Sequence, residues 1–233
     1  MKKRYCKLSL VVLVLILKQT SFGQKLTTDT TFFFKDTAGG QLQSIFIDQN
    51  RNSKFYENIT GFTFGQFDND TYESSLRFLK ERNVKLFKTK LSLFTTKWVE
   101  LKMYHGNYYA YSPCDFYTYF AHSINDTTFI DWTGEGPIAN KILQAKVIDS
   151  NTYFLKLTGQ YEQERRLIIH IVDKQKGIAV FENINASKVK KYYLMIAAKK
   201  IRNVPIIVNY CPYQKQFELE FEKPNFEKLL KIR

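Results

Sequence analysis

The sequence is poor in the residues that usually announce chemistry. Its 233 positions hold three Cys, three His, three Met, two Trp, five Pro and ten Gly. Cys and His are not clustered and no CxxC pair occurs, so a structural zinc site has no ligand set. GxSxG, HExxH, P-loop and GxGxxG patterns are absent, which leaves the familiar nucleophile, metal and phosphate geometries without local support, and no cofactor or metal is expected. The chain lacks Pro-rich, Gly-rich and low-complexity linkers, consistent with a single β-rich domain over residues 24–233. It also lacks an apolar run of the roughly 20 residues needed to span a membrane. Acids are scarce, 22 against 35 Lys and Arg.

The first line carries an address. Lys2, Lys3, Arg4 and Lys7 precede the apolar stretch "LSLVVLVLIL" (Leu8 to Leu17), and Ser21 and Gly23 place small residues before a cut at Gln24. This is the pattern of a cleaved secretory signal over residues 1–23, delivering the chain to periplasm or medium. Cys6 lies ahead of the apolar run, where a lipidated cysteine would not be. Those 23 residues hold five of the cations and no acids, so the mature chain would carry 30 cations against 22 acids, a net +8. Such a chain attracts anionic envelope components, acidic glycans or lipid headgroups, while nucleic acid is not expected as a partner of an exported protein. Cys114 and Cys211 survive cleavage. In an oxidising compartment they either form one disulfide or remain two buried thiols.

Fold class follows from periodicity. "TFFFKD" and "QLQSIFIDQ" have strand character, and "DNDTYESSLRFLKERN" interrupts it with Tyr72, Leu76 and Leu79 on one helical face, predicting a helix over 71–82 capped at Asp70. From residue 96 to about 222, short β-branched and aromatic runs alternate with turns at 105–107, 124–126, 149–151 and 173–177. A second, short helix is expected at 225–232, after Asn225. The class is therefore mainly β: an antiparallel meander forming a barrel or sandwich with two helices. "TTFIDWTG" (127–134) and "TYFLKLTG" (152–159) match at four positions and are expected in similar hairpin roles.

Aromatic residues are plentiful, and they crowd into "YHGNYYAYSPCDFYTYF" (104–120). Opposed residues of a hairpin share a face. A turn at Gly106 and Asn107 groups Trp98, Tyr104, Tyr109 and Tyr111 with Glu100 and Lys102, a face whose charges mark it as outward. This stripe is either exposed, as a ligand-stacking surface, or covered by the segment Lys25–Thr96. A turn at Asn125 and Asp126 groups Tyr117, Tyr119 and Trp132, opposite Asp131, and these rings are expected to point into a core or lumen. Asp131 and Glu135 flank Trp132 in "DWTGEGP", and two acids beside a tryptophan would suit glycoside chemistry; the alternative is two acids at an ordinary turn.

An exported chain with a Trp opening its first long strand ("TTKWVELKMY") and a run of hairpins resembles the calycin or lipocalin-like barrels. The family's Gly-x-Trp start stands here as Thr96-Lys97-Trp98, without the Gly. The resemblance implies a small apolar ligand in a barrel lumen. Three readings follow: a non-catalytic binding protein that engages a small ligand, glycan or envelope component through aromatic side chains; a structural or interaction module; and a hydrolase using Asp131 and Glu135.

Overall fold

Consecutive hairpins close on themselves. The computed structural model describes residues 30–89, 93–115 and 118–231. Eight strands form a closed antiparallel barrel: β3 (Lys97–Glu100), β6 (Ala121–Ile124), β7 (Thr128–Thr133), β8 (Gly136–Asp149), β9 (Thr152–Gly159), β10 (Arg165–Asp173), β11 (Ile178–Asn185) and β12 (Lys190–Ala197). Each pairs with the next, and β12 returns to β3 with Ala197 opposite Trp98. The two similar segments become β7 and β9, which flank β8 on either side. The meander is thus the expected one, and its closure matches a lipocalin-like architecture.

The first two strands and the aromatic hairpin do not join the barrel. β1 (Thr30–Ala38), β2 (Gln41–Asp48), β4 (Lys102–Tyr104), β5 (Asn107–Ser112) and β13 (Ile206–Tyr210) build a second sheet in the order β1-β2-β13-β5-β4. Its β13–β5 pair is parallel, a departure from the purely antiparallel expectation. The two strands are not joined to each other: β5 follows β4 through a tight hairpin, and β13 enters the sheet after β12 of the barrel.

Apolar side chains separate into layers. Trp98, Phe129, Leu155, Ile169 and Phe181 fill the barrel lumen. Val99, Val180 and Leu194 on the barrel's outer face meet Phe46, Ile206 and Val208 of the second sheet, with Tyr56 of α1 (Phe55–Thr60) between them. Tyr56 donates to the Val204 carbonyl at 2.7 Å. The far face of the second sheet buries Ile45, Tyr109, Tyr111 and Ile207 beneath Leu219 and Phe221. Strands of this barrel are therefore buried on both faces over much of their length.

The main helix, α2, spans Gln66–Glu81 and begins five residues before the expected start. Asp68, not Asp70, serves its N-terminus, accepting the Gly65 N–H at 3.0 Å. The helix lies along β8, where Ser75 Oγ accepts the Ala139 N–H at 2.9 Å, one residue beyond the β8–β9 ladder. The C-terminal helix α3 (Phe226–Lys231) forms where expected, with Asn225 Oδ1 accepting the Lys228 N–H at 2.9 Å. Among the described residues, no helix is long and apolar enough to cross a membrane. The expected signal segment lies outside the described residues.

Candidate functional site

The β6–β7 hairpin sets the geometry of both candidate sites. Ala121 pairs with Trp132 and Ser123 with Ile130, so the expected grouping of faces is correct. Of the two expected destinations, core or lumen, Trp132 takes a core, buried with Ala121 and Ile130 and with Tyr119 packed against it, but that core lies outside the barrel. Arg165 on β10 reaches Asp131 on β7, and His122 on β6 stacks on Phe181 of β11, with ring centroids 5.5 Å apart. These pairs join strands that are not neighbours, so the face carrying Asp131 is the lumen, and Trp132 faces outward. Charge is a poor guide here because Asp131 is matched across the barrel, whereas the outer face is covered by α2 and the segment before it.

Inside the lumen, Asp131 has three partners. Arg165 Nη1 lies 2.9 Å from Oδ2, His122 Nδ1 lies 3.0 Å from Oδ1, and Asn140 Nδ2 donates to Oδ2 at 2.9 Å. Burial pushes the Asp131 carboxyl up, but the Arg165 charge and His122 outweigh it and hold the group well below the usual carboxylate range. Burial pushes the His122 imidazole down, against the opposing pull of Asp131. The Arg165 guanidinium also sits 5.2 Å from the Phe129 ring centroid. Asn140 is held close by Gly159, where an added Cβ would stand 2.1 Å from Asn140 Oδ1. Asp131 is thus a packed, paired carboxylate, and the centre of the lumen is occupied by side chains, with Phe129, Leu155 and Phe181 fully buried. An eight-stranded barrel is just narrow enough to be filled this way.

Glu135 is elsewhere, on the Thr133–Gly136 turn outside the barrel, where the Tyr161 hydroxyl donates to Oε2 at 3.3 Å. The two acids expected to act together are therefore divided between lumen and exterior.

What gathers outside is an aromatic cleft of about 840 Å³. Trp132 and Tyr119 line it, joined by Phe62 and Phe67 from the loop before α2 and its first turn, by Asp68 and Glu135, and by Ser112–Cys114. Trp132 Nε1 donates to Ser123 Oγ at 2.7 Å, which satisfies the polar tip and orients the ring. Phe62 meets Trp132 edge to face at 5.6 Å. Tyr119 donates to the Ile59 carbonyl at 3.0 Å, and burial pushes its hydroxyl well above the usual tyrosine range. Phe67 is 65% exposed. Cys114 and Cys211 form a disulfide with Cα atoms 5.7 Å apart, tying the cleft wall to the end of β13. Sequence reasoning missed Phe62, Phe67 and Asp68, because they belong to a stretch far from Trp132 in the chain. Tyr117 lies outside the described residues.

The expected outer stripe is dispersed. The hairpin turns at His105 and Gly106, with φ of 46° and 72°, so Lys102 faces Tyr109 rather than Tyr111. Two left-handed residues in succession make the hairpin turn that matches strand twist, which moves the register by two and preserves the shared face. Tyr109 and Tyr111 are buried in the second sheet, Tyr104 is half-buried, and Trp98, on a different sheet, is 1% exposed in the lumen. The covering comes from residues 217–222 as much as from the N-terminal strands: Tyr111 donates to Glu218, whose other oxygen accepts the Asp115 N–H at 2.6 Å.

Compared with known proteins, the chain matches no family model, no curated protein and no solved structure.

Proposed function

We propose that the protein is an exported, non-catalytic binding protein whose ligand, a glycan or small molecule with a ring or apolar face, stacks in the outer cleft between Trp132, Tyr119 and Phe67. One observation carries this reading: residues far apart in sequence bring aromatic side chains together around a cleft of about 840 Å³, while the polar tips of Trp132 and Tyr119 are already satisfied. Phe67, 65% exposed, offers its face, the surface that stacks on sugars and apolar groups, while Trp132, 8% exposed and packed against Phe62 and Phe64, forms the floor beneath it. A lumen ligand of the lipocalin kind has less support, since side chains occupy the barrel's centre. Catalysis by Asp131 and Glu135 has less support too, because they do not share a cleft. Export to an oxidising compartment is part of the proposal, supported by the N-terminal pattern and the Cys114–Cys211 disulfide.

The test is titration of the purified, oxidised protein with neutral, amino and acidic tetrasaccharides and with phenyltrimethylammonium, read by tryptophan fluorescence and calorimetry. Binding by at least one probe, weakened in Phe67→Ala with the unfolding midpoint unchanged, is the expected result. No binding by any probe at millimolar concentration overturns the cleft as a site and favours the interaction-module reading.

A further inference from the structure

The sign of the cleft opposes the sign of the chain. The protein as a whole has 35 cations and 22 acids, yet the cleft lining holds Asp68 and Glu135 and no Lys, Arg or His. Neither carboxylate forms an ion pair among the described residues. Among the described residues, Asp68 accepts only the Gly65 N–H, and Glu135 only the Tyr161 hydroxyl. The N-terminus of α2 adds about half a positive charge and the Lys97 ammonium over the lining Phe62 ring one more, so the site keeps roughly −0.5, still opposite in sign to the chain. With this charge, an acidic glycan or lipid phosphate, the partner suggested by overall composition, would be repelled at the very place where rings could stack on it.

Aromatic walls with uncompensated carboxylates make a chemical class of their own. The faces of Trp, Tyr and Phe rings carry negative potential and attract ammonium groups, and nearby carboxylates supply the counter-charge that such a ligand needs once it leaves water. The wall already shows this behaviour within the protein: the Lys97 ammonium rests 5.3 Å from the Phe62 ring centroid.

We infer that the cleft selects an organic cation, a ligand bearing an ammonium group on a sugar-ring or apolar face, and rejects acidic ligands. This rests on the reading of the cleft as the binding site and specifies what that site takes. Two sources share the chemistry, an amino sugar and a simple alkyl or aryl ammonium compound. Overall positive charge does not forbid either, because Asp68 and Glu135 belong to the lining itself, whereas the Lys97 ammonium is held over the Phe62 ring beside it.

The experiment compares three tetrasaccharides of similar ring size, glucosamine, N-acetylglucosamine and galacturonate, with phenyltrimethylammonium as a sugar-free cation, by calorimetry at pH 6. The expected order is glucosamine at least about tenfold tighter than its N-acetylated counterpart, with galacturonate not bound. Binding of phenyltrimethylammonium would show that the cation and rings suffice; its absence, with glucosamine bound, would assign the ligand to the amino sugars. Asp68→Asn with Glu135→Gln is the decisive variant. Asn retains an acceptor for the Gly65 N–H and Gln retains one for Tyr161, so the fold is expected to survive, checked by an unchanged unfolding midpoint. In that variant the preference for glucosamine over N-acetylglucosamine should fall to about twofold or less. Equal binding of neutral and cationic tetrasaccharides by the wild type, lost in Phe67→Ala, would overturn the charge inference and leave the cleft reading standing. Preferential binding of galacturonate would overturn it as well, and no binding at all would overturn both.

Discussion

Replacing Asp131 by Asn tests whether the lumen network is structural. The substitution keeps the side chain's shape and an acceptor but removes the charge that faces Arg165, which is 7% exposed. Arg165 spends Nη1 on Asp131, and its Nε and Nη2 have no partner among the described residues. Without Asp131 the guanidinium would be a buried charge with only the Phe129 face for company. Breaking a buried pair by removing one partner costs about 3–5 kcal/mol, against a typical total stability of about 5–15 kcal/mol. Arg165→Met should cost less, by at least about 1 kcal/mol, for two reasons. Asp131 keeps its His122 and Asn140 partners, and the buried carboxyl, released from the arginine's field, can take up a proton. The double variant should be less destabilised than the sum of the two, with a coupling of about 1–3 kcal/mol. Equilibrium unfolding in guanidinium chloride under oxidising conditions measures all four corners of the cycle. An Asp131→Asn cost below about 1 kcal/mol, or a larger cost for Arg165→Met, would refute the reasoning.

Three further outcomes follow from the same packing. Because burial lowers the His122 pKa below its unfolded value of about 6.5, the unfolded chain binds more protons as pH falls through that value. Stability should therefore decline from pH 7.5 to pH 5, and Asp131, with its depressed pKa, should add a further loss below about pH 4. His122 faces Asp131, Arg165 and Glu100, and a His122→Gln variant should show a shallower dependence between pH 7.5 and 5; an unchanged slope in denaturant midpoints would assign the effect elsewhere. Cys114 and Cys211 close a loop of 97 residues, so denatured, non-reduced protein should titrate no thiol from this pair, and Cys114→Ser with Cys211→Ser should cost about 2–5 kcal/mol. Phe129→Ala, which empties part of the lumen, should cost about 3–5 kcal/mol, while Phe67→Ala should stay within about 0.5 kcal/mol; similar losses at both would mean that the cleft is closed over Phe67.

By itself the sequence determined what depends on near neighbours. The turns, the period-two strands, the capping Asn225 and the disulfide-competent cysteines all report on a few residues or on composition. Pairing of faces in the 121–132 hairpin belongs to this group, since strand geometry alone makes Ala121, Ile130 and Trp132 share a side. So does the common face of Tyr104, Tyr109 and Tyr111, which survived a two-residue change of register. Only the tertiary structure decided which side is inside. Alternation of polar and apolar residues identifies a core face when the other face meets water, and here both faces are buried, one by barrel closure and the other by α2, the second sheet and the C-terminal segment. Under that condition a carboxylate goes wherever an arginine from a strand three places away can meet it, and an indole goes wherever Phe62 and Phe67 arrive to form the rest of a cleft.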